Sequence, residues 1–274
     1  MKNSRPERVF LYGLASIWLV VCLFPLWNLF STTFSSDTSN LTNTFLPNSF
    51  SNGLVKITAA LFERSILKAA GDTMVYTVLT ILCMLIISSL AAYEFVFYRF
   101  PLKSLLFGLM MMSTMLPLMM YIIPLYRFIS AIKIADTVLG IAIPLTVSAL
   151  SVFILIQFLE DMPISFIESA RIDGAGHFSI YFHIVIPLLR NGLITTTVLM
   201  FLSVWGDYLW PALVTGENIT PISKAIATLL SSKFYIDPRV RIAAMLMSSV
   251  PPLMIYVFFQ RHIISGIAMS GIKE

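Results

Sequence analysis

The amino-acid sequence predicts an all-α integral membrane protein built on six transmembrane helices. Three observations carry that prediction. The chain is 58% hydrophobic and only 12% charged, where soluble domains carry about 25% charged residues. Its mean hydropathy of +0.87 over 274 residues supplies more apolar surface than one soluble core can hide. The ionisable residues are also spaced so that long uncharged runs lie between them.

Each run predicts one element. Val9 to Phe30, Thr73 to Tyr93, Ser104 to Tyr126, Thr137 to Leu159 and Ile242 to Gln260 hold 19 to 23 residues apiece. At about 1.5 Å per residue such runs cover roughly 30 Å, the thickness of a hydrocarbon core. A sixth run, Asn191 to Val214, has the same length but contains Asp207. The predicted spans are therefore 9–30, 73–93, 104–126, 137–159, 191–214 and 242–260. The stretch 38–53 is uncharged too, but Ser, Thr and Asn fill it, and irregular polar backbone belongs outside lipid.

The first run follows Lys2, Arg5 and Arg8 and is 22 residues long. That exceeds the ~7–15 residues of a signal-peptide core, and no small-residue cleavage site follows it directly, so the sequence predicts an uncleaved first helix. Cys22 and Cys83 fall within predicted spans with no metal or disulfide spacing and read as small apolar residues. Placing both termini in the cytoplasm divides the 18 Lys and Arg evenly. The basic N-terminus and the short Arg99–Lys103 turn then decide for that orientation, since short loops and the first helix weigh most.

Three segments lie outside the spans. Residues 31–72 start polar and end in an apolar helix near the interface, while 215–241 is interrupted by Pro221 and Pro238 and reads as a loop. The informative segment is 160–190, between the fourth and fifth spans. Asp161-Met162-Pro163 predicts a helix start and Gly174 a helix stop. Glu168 and Arg171 stand three apart and are placed to pair on one face. Beyond the glycines, Phe178, Tyr181, Phe182, Val185 and Ile186 form an apolar stripe at helical spacing, and Pro187 marks the entry to the fifth span. A short helix, a glycine turn and a second helix thus project from the membrane, a shape suited to docking. With no internal repeat and no low-complexity tail, the chain reads as one transmembrane domain, 1–274.

On these residues the chain resembles the permease subunits of ABC importers. Glu168-Ser169-Ala170-Arg171-Ile172-Asp173-Gly174-Ala175, followed by Ile184-Val185-Ile186-Pro187-Leu188, is similar to the "EAA…G…I.LP" loop of that family. It departs at Ser169, where the family usually has Ala, and at Asn191, where a second proline is common. Ser89 to Tyr93 with Arg99-Phe100-Pro101, Pro117 through Pro124-Leu125-Tyr126, Phe201 to Pro211, and Gln260-Arg261 with Gly266 and Gly271 resemble the carbohydrate-uptake branch, and within it the maltose-type second permease. The likeness covers about residues 55–274.

The resemblance implies a type I importer fold with a cytoplasmic coupling helix between the fourth and fifth spans. It implies that Glu168, Ser169, Ala170, Asp173, Gly174 and Pro187 couple the chain to an ATPase. The partners it implies are a second permease, two ATPase subunits and an extracytoplasmic sugar-binding protein, in a bacterial cytoplasmic membrane whose lipid is the solvent. ATP and Mg would be used by the ATPase and no cofactor bound by this chain. Nucleic acid has no part in the scheme.

Other residues were weighed against plainer roles. Asp207 is an acid within a predicted span, functional by default there. With Trp205 and Tyr208 it forms a candidate substrate path, although an interfacial aromatic belt has the same composition. Met110, Met111, Met112, Met115, Met119 and Met120 flank Pro117 and read as flexible packing. His177 and His183 are six apart and do not share a helix face. The sequence contains no G-x-x-x-x-G-K-[ST] phosphate loop, so an ATP-driven mechanism needs another chain. An ion-driven secondary transporter is the main rival, and it ordinarily shows repeats with broken helices. A membrane assembly factor and a membrane enzyme follow behind it.

Overall fold

The computed structural model describes the backbone of residues 5–36, 45–232 and 236–271, and the side chains among them from 10 to 262 except 63. Lys2, part of the basic N-terminus named above, lies outside the described residues. Every regular element among the described residues is helical. The chain divides into two compact units, one formed by residues up to Lys68 and by Ala225–Val250, the other by Ala69–Lys224 and the residues from Pro251 onward.

In the first unit, α1 (Arg5–Thr33) is apolar on all sides and outward-facing from Phe10 to Phe24. A helix that shows only apolar side chains outward is one solvated by lipid. A short helix α2 (Phe50–Thr58) follows. The ring of Phe34 packs between Phe30 and Phe50, with centroids 4.7 and 5.3 Å away. Lys56 Nζ forms an ion pair with Asp237, whose carboxylate also accepts the Arg239 N–H at 2.9 Å.

The second unit begins with most of α3 (Ile66–Phe97), followed by α4 (Lys103–Ser113), α5 (Leu118–Ala131), α6 (Val138–Leu145) and α7 (Ala149–Glu160). Next come α8 (Ser165–Ile172), α9 (His177–Leu188), α10 (Arg190–Gly206) and α11 (Leu209–Val214). Two further helices, α12 (Ile222–Ser231) and α13 (Pro238–Gly271), contribute residues to both units.

Three helices are long and apolar enough to cross a bilayer in one piece: Phe10–Thr33, Ile66–Phe97 and Pro238–His262. Six crossings result when each of three bent helix pairs counts as one. The uninterrupted helices expected at 104–126, 137–159 and 191–214 are not what forms. α4 and α5 meet at 97°, α6 and α7 at 49°, and α9 and α10 at 71°.

The bends have local causes. Pro117 takes an extended conformation, and the N–H groups of Thr114, Met115 and Leu116 reach back only three residues. That tightened last turn is how a helix ends when proline forbids its continuation. α6 contains Pro144, and Ser148 starts α7 afresh by accepting the Ser151 N–H at 3.2 Å. The third bend falls at Leu189, two residues after Pro187. The helix expected to run to Val214 therefore ends at Gly206, with α11 a separate element.

Two cores organise the second unit. Near one end of α3, Tyr76 packs with Ile122, Ile129, Ile141, Val204, Trp210 and Val214. Near the other end, Ala92 and Tyr93 pack with α7, α8 and α9 through Leu155, Leu159, Ile167, Ala170, Ile180 and Val185. Sixteen residues of helix, about 24 Å at about 1.5 Å each, separate Tyr76 from Ala92.

Candidate functional site

The loop between α7 and α10 is built around a single turn. α8 is two turns long and buries only Ile167 and Ala170. At its end the Ala175 N–H bonds to the Ala170 carbonyl at 2.9 Å and the Gly174 N–H to the Arg171 carbonyl at 3.1 Å. Gly174 itself sits at φ +79°. This pair of bonds closing on a left-handed glycine is the Schellman arrangement, and it satisfies carbonyls that the helix end would otherwise leave open. The glycine predicted as a stop does that work.

The predicted residues occupy different positions around this turn. Glu168 and Ser169 are exposed, Ala170 is buried, and Asp173 caps the helix with its N–H on the Ser169 carbonyl at 3.0 Å. Pro187 lies at the far end of α9, just before the 71° bend, and is not part of the turn. The expected pairing of Glu168 with Arg171 does not form. Arg171 instead places its guanidinium 5.0 Å from the centre of the Tyr98 ring.

The apolar stripe expected after the glycines is split. Tyr181 and Val185 are buried, whereas Phe178 and Phe182 are 76% and 60% exposed. Tyr181, Val185 and Leu189 recur every four residues and form the inward face, which leaves Phe178 and Phe182 beside it; a π-helical turn spans Tyr181–Val185. Ile164, just before α8, and Phe166 and Ile172 on it are likewise exposed, at 57%, 50% and 86%. The loop therefore displays large apolar side chains that the described residues do not cover.

Asp207, Trp205 and Tyr208 lie together at the α10–α11 break. Asp207 accepts the Leu209 N–H at 3.0 Å, and its carbonyl accepts the Ser223 hydroxyl at 2.9 Å. Its carboxylate thus starts α11. Trp205 is buried and stacks on Phe201 at 5.5 Å, while Tyr208 is half exposed.

A further carboxylate went unnoticed in the sequence. Asp136 stands between α5 and α6 and gathers the N–H groups of Gly216, Glu217, Asn218 and Ile219, at 2.7 to 3.3 Å. Partial burial acts to raise its pKa, but these donors outweigh it and hold the carboxyl below its ordinary value. Its partners lie 80 or more residues away, which no local pattern foretells.

Residues 84–269 match the family model of the binding-protein-dependent transport system inner membrane component. The chain belongs to that family. Its members are multi-pass components of the inner membrane, in agreement with the apolar helices described above. Among curated relatives, the sn-glycerol-3-phosphate transport system permease protein UgpE of Yersinia enterocolitica is 33% identical over 186 residues, 67% of this chain and 66% of that one. The same-named protein of Escherichia coli O1:K1 is 33% identical over 189 residues with the same shares. The match thus spans slightly under two thirds of those relatives' length. In fold, the chain is similar to a bacterial ABC transporter involved in the import of the acidic polysaccharide alginate, with a TM-score of 0.83 over 95% of this chain and 99% of that one at 22% identity.

Proposed function

We propose that this chain is one of two permease subunits of an ATP-driven importer for a sugar, a polyol or a phosphate ester of one. It forms half of the translocation path and hydrolyses nothing itself. The partners are a second permease, two ATPase subunits that use ATP and Mg, and an extracytoplasmic binding protein that delivers the solute. The substrate class is supported by the family membership, by the glycerol phosphate permeases among the relatives and by the alginate importer of like fold.

One observation carries the coupling role. α8 stands between two apolar crossings, fixed by two buried residues and a glycine turn, with Ile164 just before it and Phe166 and Ile172 on it exposed. Large apolar side chains left exposed on a segment between the apolar runs favour a docking surface. The ATPase is the occupant, which places the 160–176 loop and both termini in the cytoplasm of a bacterial cell. Glu168, Ser169, Ala170, Asp173 and Gly174 shape the docked helix, and Pro187 sets the bend behind it. Trp205, Asp207 and Tyr208 border the solute path at the opposite end of α10.

Purification of the tagged chain from its membrane, with mass spectrometry of what accompanies it, tests this. A second multi-span permease with a phosphate-loop ATPase is the expected result. A chain that emerges alone and transports on an ion gradient would make it a secondary transporter.

A further inference from the structure

Tyr98 lies one residue beyond the end of α3, and both arms of the loop close on it. From α8, Arg171 stands over its ring at 5.0 Å. From the first residue of α9, His177 Nδ1 lies 2.5 Å from its hydroxyl, with the two rings 5.2 Å apart. Arg171 and His177 sit on either side of the Gly174 turn, so any displacement of the loop tip reaches one ring from both sides. Lys103 holds the same residue from α4, donating to its carbonyl at 3.1 Å.

The chain of contacts continues inward. The Tyr98 hydroxyl is 2.8 Å from that of Tyr93, which is buried in α3. Tyr93 packs edgewise on Tyr98 and at 5.6 Å on Tyr181 of α9. Tyr181 in turn places its hydroxyl 2.7 Å from that of Ser89, again on α3. α9 is thereby bonded to α3 at two levels, nine residues apart, or about 13 Å along an α-helix.

Ile167 and Ala170 hold α8 by apolar contact alone, which is non-directional and lets surfaces slide. Hydrogen bonds with fixed geometry resist sliding. Resting on the coupling role given above, we propose that Tyr98, His177 and Arg171 are positioning residues. They form the joint through which movement of the docked helix is passed to α3, with the Ser89–Tyr181 bond keeping α9 and α3 in register.

The test needs no transported solute. The complex purified with its ATPase and placed in lipid nanodiscs is compared by hydrogen–deuterium exchange without nucleotide and with ATP plus vanadate. In the unaltered complex, nucleotide changes exchange in both 165–172 and 94–102. Tyr98→Phe keeps the ring but removes both hydroxyl contacts. It is expected to retain the change at 165–172 and to cut that at 94–102 to less than half. His177→Ala should act alike, and His177→Asn, whose side-chain amide can stand in for Nδ1, should restore most of the response. A Tyr98→Phe complex with the full nucleotide response at 94–102 overturns the joint and leaves the docking role standing. No response at 165–172 in the unaltered complex overturns the docking role, and the joint falls with it.

Discussion

At Gly174 the backbone stands at φ +79°, and a Cβ added there would meet no atom within 4 Å. Any penalty for a side chain is therefore conformational, with no steric part. The left-handed region costs an ordinary residue about 1–2 kcal/mol, and strained non-glycine positions reach about 3 kcal/mol. Because about 1.4 kcal/mol is a factor of ten in an equilibrium constant, Gly174→Ala at about 1 kcal/mol should lower the ratio of closed to open turn about fivefold. Gly174→Val, β-branched, at about 3 kcal/mol should lower it about 150-fold. Asn enters this region readily, so Gly174→Asn should stay near the unaltered protein. The assay is uptake of radiolabelled sn-glycerol 3-phosphate, or of the solute the co-purified binding protein retains, normalised to the amount of protein in the membrane. The expected order is Gly, Asn, Ala, Val, with uptake by the Val variant lost and membrane insertion intact. Uptake by Gly174→Val within twofold of normal would refute the reasoning, as would Asn performing no better than Val.

Other perturbations give separate readings. Ile167→Ala removes the larger of the two buried anchors of α8 and should cost about 2–5 kcal/mol locally; co-purified ATPase should fall, whereas Lys56→Met, in the first unit and away from the loop, should leave it unchanged. Asp136→Ala should lower the Tm at pH 7 by removing the acceptor for four backbone N–H groups. The folded-state pKa is lowered, so this contribution is complete above the unfolded value of about 3.9 and fades as pH falls through the folded value. The Tm difference between Asp136→Ala and the unaltered protein should accordingly shrink at pH 3. In the first unit, Asp237→Ala loses both the pair with Lys56 and the bond to the Arg239 N–H that starts α13. It should cost about 1–2 kcal/mol, as cap losses do, while Lys56→Met, which breaks a half-exposed pair alone, should cost under about 1 kcal/mol. Thermal unfolding in detergent distinguishes the two.

The sequence made some features legible because they depend on neighbours in the chain. The apolar runs report the bilayer, and Asp161-Met162-Pro163 and Gly174 bracket α8 because helix ends are written in residues that lie within one turn. The breaks within three crossings were less readable. Pro117 and Pro144 were visible, yet proline is tolerated in membrane helices when neighbours satisfy the freed groups, so its presence does not announce a 97° turn. The stripe from Phe178 to Ile186 was drawn too wide because all five residues are apolar, and composition alone does not say which of them meet the core. Tyr98 and Asp136 were passed over, and His177 was set only against His183, for a different reason: their partners are 79 to 83 positions distant, and only the folded chain brings them together.

The three bent crossings have a bearing on where water must go. A helix that breaks within the bilayer frees carbonyl and N–H groups that hydrocarbon cannot accept, so broken backbone at that depth has to face protein or a hydrated space. The helix pairs broken at 114–117, 146–148 and 189 meet that requirement wherever the break lies within the bilayer. At the first, Met115 is 82% exposed and Met119 and Met120 are 67% and 70% exposed, so the described residues leave this break open. Under the function proposed above, the second permease or water beside Pro117 is what such a break calls for.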